Sequence, residues 1–342
     1  MEKRKYINNI YIYLVMIFYN MNFASITYSS FIMRDFSKIS WIIPILTLIP
    51  IFILIILYKT KNKVEYLQNI ILFKILLLIN SIIHNTVLIY VSSQMMGISF
   101  YQLTPVSIFA LISIVLTCFL SFLDINKLLR LALILITGLI WFVPFIFDFE
   151  YNNNLNMELF GKIDFKIIKG LYYTTICNDL FLYTLYNKEY KYPITKKALL
   201  IVSSIIMIIA SLQIIDSFTL VNYRYYEGLT MPSLNRYFSH QGKRFFEHFD
   251  ILLLFLTMTT TFYKVPFNAI LVKNTLNKKY QTKFLLLYFF FLTPLVFFLI
   301  LNYNYLRFFL LLLSITTFLL TIIIIIYSRK GENNVSTVNP TN

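Results

Sequence analysis

The stretch from Tyr305 to Tyr327 reads YLRFFLLLLSITTFLLTIIIIIY, and it decides the fold class of this chain. Arg307, near its beginning, is its only charged residue, and large apolar side chains fill most of the other positions. A helix needs about 20 consecutive apolar residues to cross the hydrocarbon core of a bilayer. The stretch is longer than that, so it predicts a transmembrane helix.

Similar apolar windows recur along all 342 residues. Hydrophobic residues make up 58% of the chain and charged residues only 13%, whereas soluble domains carry about 45–50% and about 25%. Hydropathy and apolar run length predict about ten spans: Ile7–Tyr28, Ser40–Tyr58, Leu67–Gly97, Leu103–Leu123, Leu128–Phe147, Ile167–Tyr186, Ala198–Val221, Phe246–Val272, Phe284–Leu301 and Tyr305–Tyr327.

These windows predict an all-α polytopic membrane protein with a single transmembrane domain over residues 1–330. The polar segment 331–342 is predicted to be a disordered cytoplasmic tail. The composition excludes a soluble enzyme. It also excludes a secreted disulfide scaffold, because Cys118 and Cys177 both lie inside apolar runs.

The net charge of +15 follows the predicted topology. With Met1 on the inner side, most of the 30 Lys and Arg residues fall in inner segments, such as Lys3–Lys5, Lys59–Lys63, Lys188–Lys197 and Lys273–Lys283. Cytoplasmic loops carry this basic excess in membrane proteins. Both termini are therefore predicted to be cytoplasmic, with affinity for anionic lipid. No nucleic-acid motif accompanies the charge, so nucleic acid is not an expected partner.

Polar residues interrupt two of the spans. The ten spans divide into two sets of five, over residues 7–147 and 167–327, and a division of this kind is typical of inverted-repeat transporters. The first and sixth spans correspond in that division, and they contain Asn20–Ser25 and Thr174–Asp179. Such runs are typical of an unwound helix whose free backbone groups bind the ionic groups of a ligand. The alternative is a continuous helix in which Asp179 pairs with a neighbour.

Further ionisable residues lie inside the spans. Lys264 follows a threonine run, and a buried ammonium there would neutralise an acidic partner or occupy the place of a bound cation, unless it snorkels to the inner interface. His84 could bind a ligand, relay protons or serve as a hydrogen-bonded structural histidine. Lys74 and Asp216 lie close to span ends and are expected to snorkel.

The sequence offers few groups of residues that could form a catalytic or metal-binding site. The three histidines, His84, His240 and His248, lack metal-ligand spacing, and the sequence has no Gly-rich phosphate loop or Ser/His/acid set. His240 and His248 with Glu247 and Asp250 form either a weak outer metal site or a solvated loop. We therefore expect no catalytic activity, no cofactor and no metal. A polytopic acyl or glycosyl transferase would need a catalytic acid or base near a membrane surface, and none stands out.

Several motifs occur together in an informative order. They are Trp41-Ile42, then Asp164-Phe165 with Ile167-Ile168-Lys169-Gly170, then Glu227-Gly228 with Met231-Pro232-Ser233-Leu234, then Arg244–Phe249 with Asp250, the following apolar and threonine residues, Phe262 and Lys264. This series resembles the B subunit of GerA-type spore germination receptors, the endospore germination permease family of the amino acid, polyamine and organocation transporter superfamily.

The resemblance implies a LeuT-type fold with helices one and six broken, A and C partner subunits, and a site in the inner spore membrane for a small germinant, most simply an amino acid. The family's binding cavity would fall here on Asn20, Asn22, Ala24, Ser25, His84, Tyr90, Thr175, Cys177, Asn178, Asp179, Thr257, Thr260 and Thr261. This sequence departs from the family pattern at two places, so the resemblance does not specify the identity of the ligand. Asn and Cys stand where the family has small or Gly/Pro residues at the helix breaks, and Thr257 stands where it has Trp.

These residues lead to one hypothesis on the chemistry of the site and one on function. The N–H groups near Asn20–Ser25 would hold a carboxylate, while Asp179 would bind an ammonium or pair with Lys264. The expected function is nutrient sensing that triggers germination and ion release together with partner subunits. The alternative is an autonomous amino acid permease built on the same fold.

Overall fold

The computed structural model describes residues 8–23, 37–59, 67, 70–99, 104–139, 179–186, 190–220, 249–276 and 278–330. Within them the chain forms helices and turns, without a β-strand. The helices are α1 (Asn9–Phe23), α2 (Ile43–Leu57), α3 (Ile71–Ser99), α4 (Val106–Ser121), α5 (Ile125–Leu139), α6 (Leu180–Tyr183), α7 (Lys196–Leu220), α8 (Phe249–Asn274), α9 (Gln281–Leu301) and α10 (Leu306–Lys330).

These helices follow the order of the predicted spans. Several ends shift by a few residues: α3 begins at Ile71 instead of Leu67, and α5 begins at Ile125 instead of Leu128. In the sixth span, only the last turns from Asp179 onward are described. The two long outer loops, the tail and the approach to the sixth span, including Asp164–Gly170, lie outside the described residues.

Four helical stretches in the described part are long and apolar enough to cross a membrane: Ser40–Leu57, Ile71–Gly97, Gln281–Leu301 and Tyr303–Ser328. Asn9–Met21 and Val106–Ser121 are shorter apolar helices. An α-helix satisfies its own backbone hydrogen bonds, which makes it a stable spanning element in lipid. These helices indicate a membrane-embedded all-α protein.

The distribution of side chains agrees with a lipid environment. Large apolar residues face outward, with Phe290 71% exposed and Phe119 69% exposed, while Asn85 and Lys264 are at most 1% exposed. In water this arrangement would be costly, because isolated polar groups are expensive to bury and exposed apolar surface is unfavourable. In lipid the apolar surface carries no such penalty, so the helices can bury polar side chains against one another.

The long helix α3 forms the centre of the packing. It packs against α8, α10, α4 and α9, whereas α8 in turn contacts α4, α5 and α1. A second group joins α7 to α2 and α1. The functional side chains described below lie on α1, α3, α6 and α8, and α8 contacts both α1 and α3 directly.

Two lysines bind the carbonyl ends of helices that are distant in sequence. The Lys196 ammonium donates to the Ile56 carbonyl at the end of α2 (2.8 Å). The Lys273 ammonium donates to the Ser121 carbonyl (3.2 Å) and lies 3.5 Å from that of Leu123, at the end of α4. The last carbonyls of a helix have no intrahelical donor and carry partial negative charge, so a cation stabilises them. Burial lowers the pKa of Lys273, and Asp124 opposes that effect.

A polar clamp holds the beginning of α1. The side-chain amide of Asn9 donates to the Tyr192 carbonyl (2.6 Å), and its oxygen accepts from the Tyr192 backbone N–H (3.0 Å). This pairing satisfies both backbone groups of Tyr192. It also ties α1 to the segment that leads into α7.

Candidate functional site

A buried ion pair joins α6 to α8. The Lys264 Nζ atom lies 2.9 Å from Asp179 Oδ2, with the two residues 1% and 5% exposed. The structure therefore places the Lys264 ammonium inside the helix packing, paired with Asp179. Lys264 can be buried here because α8 carries it opposite the only carboxylate of the short helix region that begins at Asp179.

His84 from α3 lies beside the same carboxylate. Its Nδ1 atom is 3.7 Å from Asp179 Oδ1, beyond hydrogen-bond distance but within the range of direct electrostatic interaction. The imidazole is 2% exposed. Three ionisable groups from three helices thus meet in the interior, and ionisable groups at membrane depth are costly enough that they usually serve function.

A layer of neutral polar side chains lies next to this centre. The Asn85 amide donates to the Tyr288 hydroxyl (2.7 Å) and to the Val265 carbonyl (3.0 Å), while its oxygen accepts from Asn268 (2.9 Å). Ser81 completes the layer by a 2.7 Å hydrogen bond to Tyr288. The layer links α3, α8 and α9, and a fully satisfied buried network of this kind fixes one register between helices.

A row of aromatic rings covers the other side of α8. The rings of Tyr19 and Tyr263 stack with centroids 4.3 Å apart, and Tyr263 and Tyr183 both stack on Phe267 at 5.6 Å and 4.6 Å. The Tyr19 hydroxyl donates to the Ala132 carbonyl of α5 (3.2 Å). These rings bring α1, α6 and α8 together beside the ion pair.

Four buried polar atoms near the pair have no hydrogen-bond partner in the described part of the chain: Asn20 Oδ1, Asp179 Oδ1, the Tyr183 hydroxyl and the Tyr263 hydroxyl. Their residues lie on α1, at the start of α6 and on α8, which the stacked rings of Tyr19, Tyr263, Tyr183 and Phe267 hold together. Buried polar atoms are nearly always paired, and a cluster of exceptions calls for a functional explanation.

The predicted site residues of α1 lie on a regular helix as far as Phe23. Asn20 is fully buried and its amide donates to the Met16 carbonyl one turn earlier (2.7 Å), so the helix is intact at Asn20 and does not unwind there. Asn22 is helical, but its side chain lies outside the described residues, as do Ala24 and Ser25. Any break in helix one therefore follows Phe23.

Of the remaining predicted residues, four lie on described helices and three do not. Thr257, Thr260 and Thr261 are buried on α8, and the hydroxyls of Thr260 and Thr261 donate to carbonyls one turn earlier. Tyr90 is buried on α3, but six residues of helix rotate it about 120° away from His84. Thr175, Cys177 and Asn178 lie outside the described residues. Asp179, Lys264 and His84 are the predicted residues that the structure brings together.

The polar layer and the aromatic row were not predicted from the sequence. A signal for the layer was present, because Asn80, Ser81, His84 and Asn85 repeat at the spacing of one helix turn and so share a face of α3. Asn268 likewise follows Lys264 by one turn. The aromatic rings had no such signal among the 34 Phe and 26 Tyr residues of the chain.

Among the described residues, no three His, Cys, Asp or Glu side chains are grouped as metal ligands would be. The fixed charges, acceptor oxygens and hydroxyls of the site instead suit hydrogen bonding and charge pairing with a small polar molecule. No protein-family model matches this sequence, and no curated protein matches it.

Proposed function

We propose that this protein is the ligand-sensing membrane subunit of a nutrient receptor of the spore germination type. The buried Asp179–Lys264 pair with His84 carries the proposal, because it joins α3, α6 and α8 in the interior. In the family that the motifs resemble, the binding cavity lies between helices one, three, six and eight. A small amino-acid-like ligand would bind there, and A and C subunits would convert binding into ion release.

The proposal includes the finer architecture. The ten helices would form two inverted repeats of five, over residues 7–147 and 167–327, in a LeuT-type fold with helices one and six broken. The termini would lie on the core side of the inner spore membrane. The order of α1 to α10 and the meeting of α1, α6 and α8 at the ion pair support this arrangement.

The mechanism would be differential binding. A ligand shifts an equilibrium between two states of the bundle only by the difference in its affinity for the two. Inverting a population from 1:99 to 99:1 requires about 5.5 kcal/mol. One exchanged charge pair and a few hydrogen bonds to the oxygens near Asp179 that have no partner among the described residues are of that order.

An autonomous amino acid permease is the second candidate function, because a transporter would also place its charged groups in the membrane interior. The two candidates differ in what the isolated chain does. A permease accumulates a solute in proteoliposomes without partner subunits, whereas a receptor subunit binds it without net uptake.

Thermal stabilisation of the full-length chain in detergent tests the proposed function. The panel contains the L-amino acids and nucleosides, and the blocking variant is Thr260→Leu. Thr260 lies one helix turn before Lys264 on the same face of α8, so leucine there would fill space next to the pair. The matched control is Thr321→Leu on α10, another buried threonine bonded to the carbonyl one turn earlier (2.8 Å).

We expect at least one panel compound to raise the melting temperature of the wild type and of Thr321→Leu, but not of Thr260→Leu. If no panel compound raises the melting temperature of the folded wild type, the ligand-binding role is contradicted. Uptake of the same compound into proteoliposomes would favour the permease over the receptor.

A further inference from the structure

Three helices, α5, α7 and α9, begin at the same end of the bundle. The Lys273 ammonium near the end of α8 bonds the Ser121 carbonyl, which places that end beside the connection from α4 to α5. The helix α9 begins shortly after α8 ends. The Asn274 amide donates to the Tyr186 hydroxyl (3.1 Å), so the segment that leads from α6 into α7 lies there too. We call this end of the bundle the basic end.

Each of these three helices carries exposed cations in its first two turns. They are Lys127 and Arg130 on α5, Lys197 on α7 and Lys283 on α9. The first turns hold no acidic residue, and within the described part of the chain only Lys127 faces a carboxylate, that of Asp124 at 3.9 Å. A cation at the start of a helix opposes the helix dipole. These charges therefore do not stabilise their own helices.

The cations continue the outward apolar faces of their helices. An exposed apolar residue stands four positions after a cation on each helix: Ile134 after Arg130, Ile201 after Lys197 and Leu287 after Lys283. The three apolar side chains are 50% to 67% exposed. Residues four positions apart share one face of a helix. Each helix thus passes from charged to apolar within one turn along the face that meets lipid.

The length of α9 sets the level of these charges. Its 21 residues span about 31 Å at about 1.5 Å per residue, close to the thickness of about 30 Å of a hydrocarbon core. Lys283 is near its beginning, while Leu301 at its other end is 80% exposed and is followed by the exposed Tyr303. Lysine near the end of a span covers apolar surface with its stem and holds its ammonium at the interface. Lys283 therefore stands at the level of the lipid headgroups.

The placement of the cations selects lipid over an acidic soluble protein. Such a protein would approach the basic end from water, whereas these cations lie on lateral faces that continue into exposed apolar surface. The three helices also lie in different parts of the packing, with α9 beside α4, α5 beside α8 and α1, and α7 beside α2. Charges distributed in this way meet several lipids around the protein and not one ligand.

We propose that Lys127, Arg130, Lys197 and Lys283 bind the headgroup phosphates of anionic phospholipids in the leaflet at the basic end. The guanidinium of arginine binds phosphate through two donors, and the ammonium of lysine binds it as a point charge. The sequence predicts an affinity of the inner segments for anionic lipid, and the structure assigns that affinity to four side chains on helix faces. This assignment does not depend on the proposed function.

Electron spin resonance of spin-labelled lipids tests the assignment on the full-length chain in dioleoylphosphatidylcholine vesicles. The motionally restricted fraction of spin-labelled phosphatidylglycerol, compared with that of spin-labelled phosphatidylcholine, gives the relative association constant of the anionic lipid. We expect a ratio of about 3 at about 0.01 M sodium chloride, because each cation near the membrane surface attracts an anionic lipid. At about 1 M sodium chloride, where charges are screened beyond about 3 Å, the ratio should approach 1.

A quadruple variant separates the four cations from the net charge. Lys127→Gln/Arg130→Gln/Lys197→Gln/Lys283→Gln should lower the excess of the ratio over 1 by at least about half. The matched control is Lys188→Gln/Lys191→Gln/Lys278→Gln/Lys279→Gln, which removes the same charge from the connections that precede α7 and α9. That control should lower the excess by less than about one-quarter. The four cations are exposed, so the first variant should keep the wild-type melting temperature.

Several outcomes overturn the assignment. Equal association of the two lipids with the wild type at low salt does so even if the quadruple variant fails to fold. An equal loss in both quadruple variants would assign the effect to net charge. A larger effect of inorganic phosphate than of sodium chloride at the same ionic strength would show that the cations bind free phosphate. An unchanged ratio in the first variant, with loss of polyglutamate binding, would assign them to an acidic protein. A ligand panel without a hit, which contradicts the proposed function, changes none of these readouts.

Discussion

Lys264 on α8 places a full positive charge among buried side chains. Lys264 is 1% exposed, and its 2.9 Å contact with Asp179 makes that burial tolerable. Removing one member of a buried pair leaves the other uncompensated, at a cost of about 3–5 kcal/mol. At the residue scale, this pair is therefore expected to contribute to stability in addition to its proposed role in ligand binding.

Replacing Lys264 by methionine should reveal that cost. We expect Lys264→Met to destabilise the protein by about 3–5 kcal/mol in thermal unfolding at a fixed scan rate in detergent. Asp179→Asn/Lys264→Met should recover most of the loss, because no charge then stays buried alone. Equal melting temperatures of Lys264→Met and the wild type would show that the pair contributes little to stability.

Tyr263 should separate binding from stability. Its hydroxyl is buried without a hydrogen-bond partner in the described part of the chain, so Tyr263→Phe should leave the free energy of unfolding within about 0.5 kcal/mol of the wild type or raise it. If the hydroxyl donates to a ligand carboxylate, affinity should fall about 10-fold. Calorimetric titration and thermal unfolding measure the two effects.

Tyr19→Phe provides the reciprocal control for Tyr263→Phe. The Tyr19 hydroxyl is already bonded to the Ala132 carbonyl, so its removal should cost about 1 kcal/mol of stability without changing ligand affinity. A loss of stability in Tyr263→Phe as large as that in Tyr19→Phe would contradict a binding role for the Tyr263 hydroxyl.

At the scale of elements, α3 is organised by its polar face. Asn85 bonds α8 through Val265 and Asn268, and it bonds α9 through Tyr288, so a single side chain holds three helices in register. Asn80 extends the same face toward α10, where it accepts from Thr316 and Thr317 at 2.8 Å. Such networks replace the hydrophobic driving force that helices lack in lipid.

Asn85→Ala should loosen this junction. The substitution leaves several buried groups without partners, so we expect about 2–4 kcal/mol of destabilisation in thermal unfolding. Ser93→Ala on the same helix is the matched control, because within the described part of the chain the Ser93 hydroxyl bonds only the Ile89 carbonyl one turn earlier (2.7 Å). That control should change stability by less than about 0.5 kcal/mol. Similar losses in both variants would argue against the network as the cause.

The helices could be predicted because a helix needs about 20 apolar residues to cross the hydrocarbon core of a bilayer. Tyr305–Tyr327 was predicted as a helix, and the structure confirms it from Leu306 onward, within α10. Asp179, Lys264 and His84 stood out because charges are rare in such runs, yet no local pattern gives a distance between residues 85 positions apart. The one-turn spacing of Asn85 and Asn268 with their neighbours indicates a shared polar face, but that spacing does not give the partner across the helix interface, such as Tyr288.

At the scale of the whole molecule, apolar side chains face outward and polar side chains meet inside. Phe290 is the tenth residue of α9 and is 71% exposed, while Lys279 is an exposed residue just before that helix. If α9 crosses the membrane, the two positions lie in different solvents. Phe290 would contact lipid near the bilayer centre, and Lys279 would contact water.

Spin labels should report this difference in reconstituted protein. A nitroxide at position 290 should collide frequently with dissolved oxygen and rarely with a water-soluble nickel chelate, and a nitroxide at position 279 should show the reverse, because oxygen concentrates in hydrocarbon and the chelate in water. Equal chelate accessibility at the two positions would contradict a membrane-spanning α9.

The separation of Asp179 from Lys264 along the chain also sets a problem of timing during biosynthesis. The two residues are 85 positions apart, and ribosomes add about 5–20 residues per second, so Lys264 is made roughly 4–17 seconds after Asp179. For that interval the Asp179 carboxylate cannot pair with Lys264, and an unpaired charge in hydrocarbon is energetically costly. Until α8 is made, we therefore expect the nascent span either to remain sheltered by the insertion machinery or the earlier helices, or to carry the Asp179 carboxyl in its protonated, neutral form.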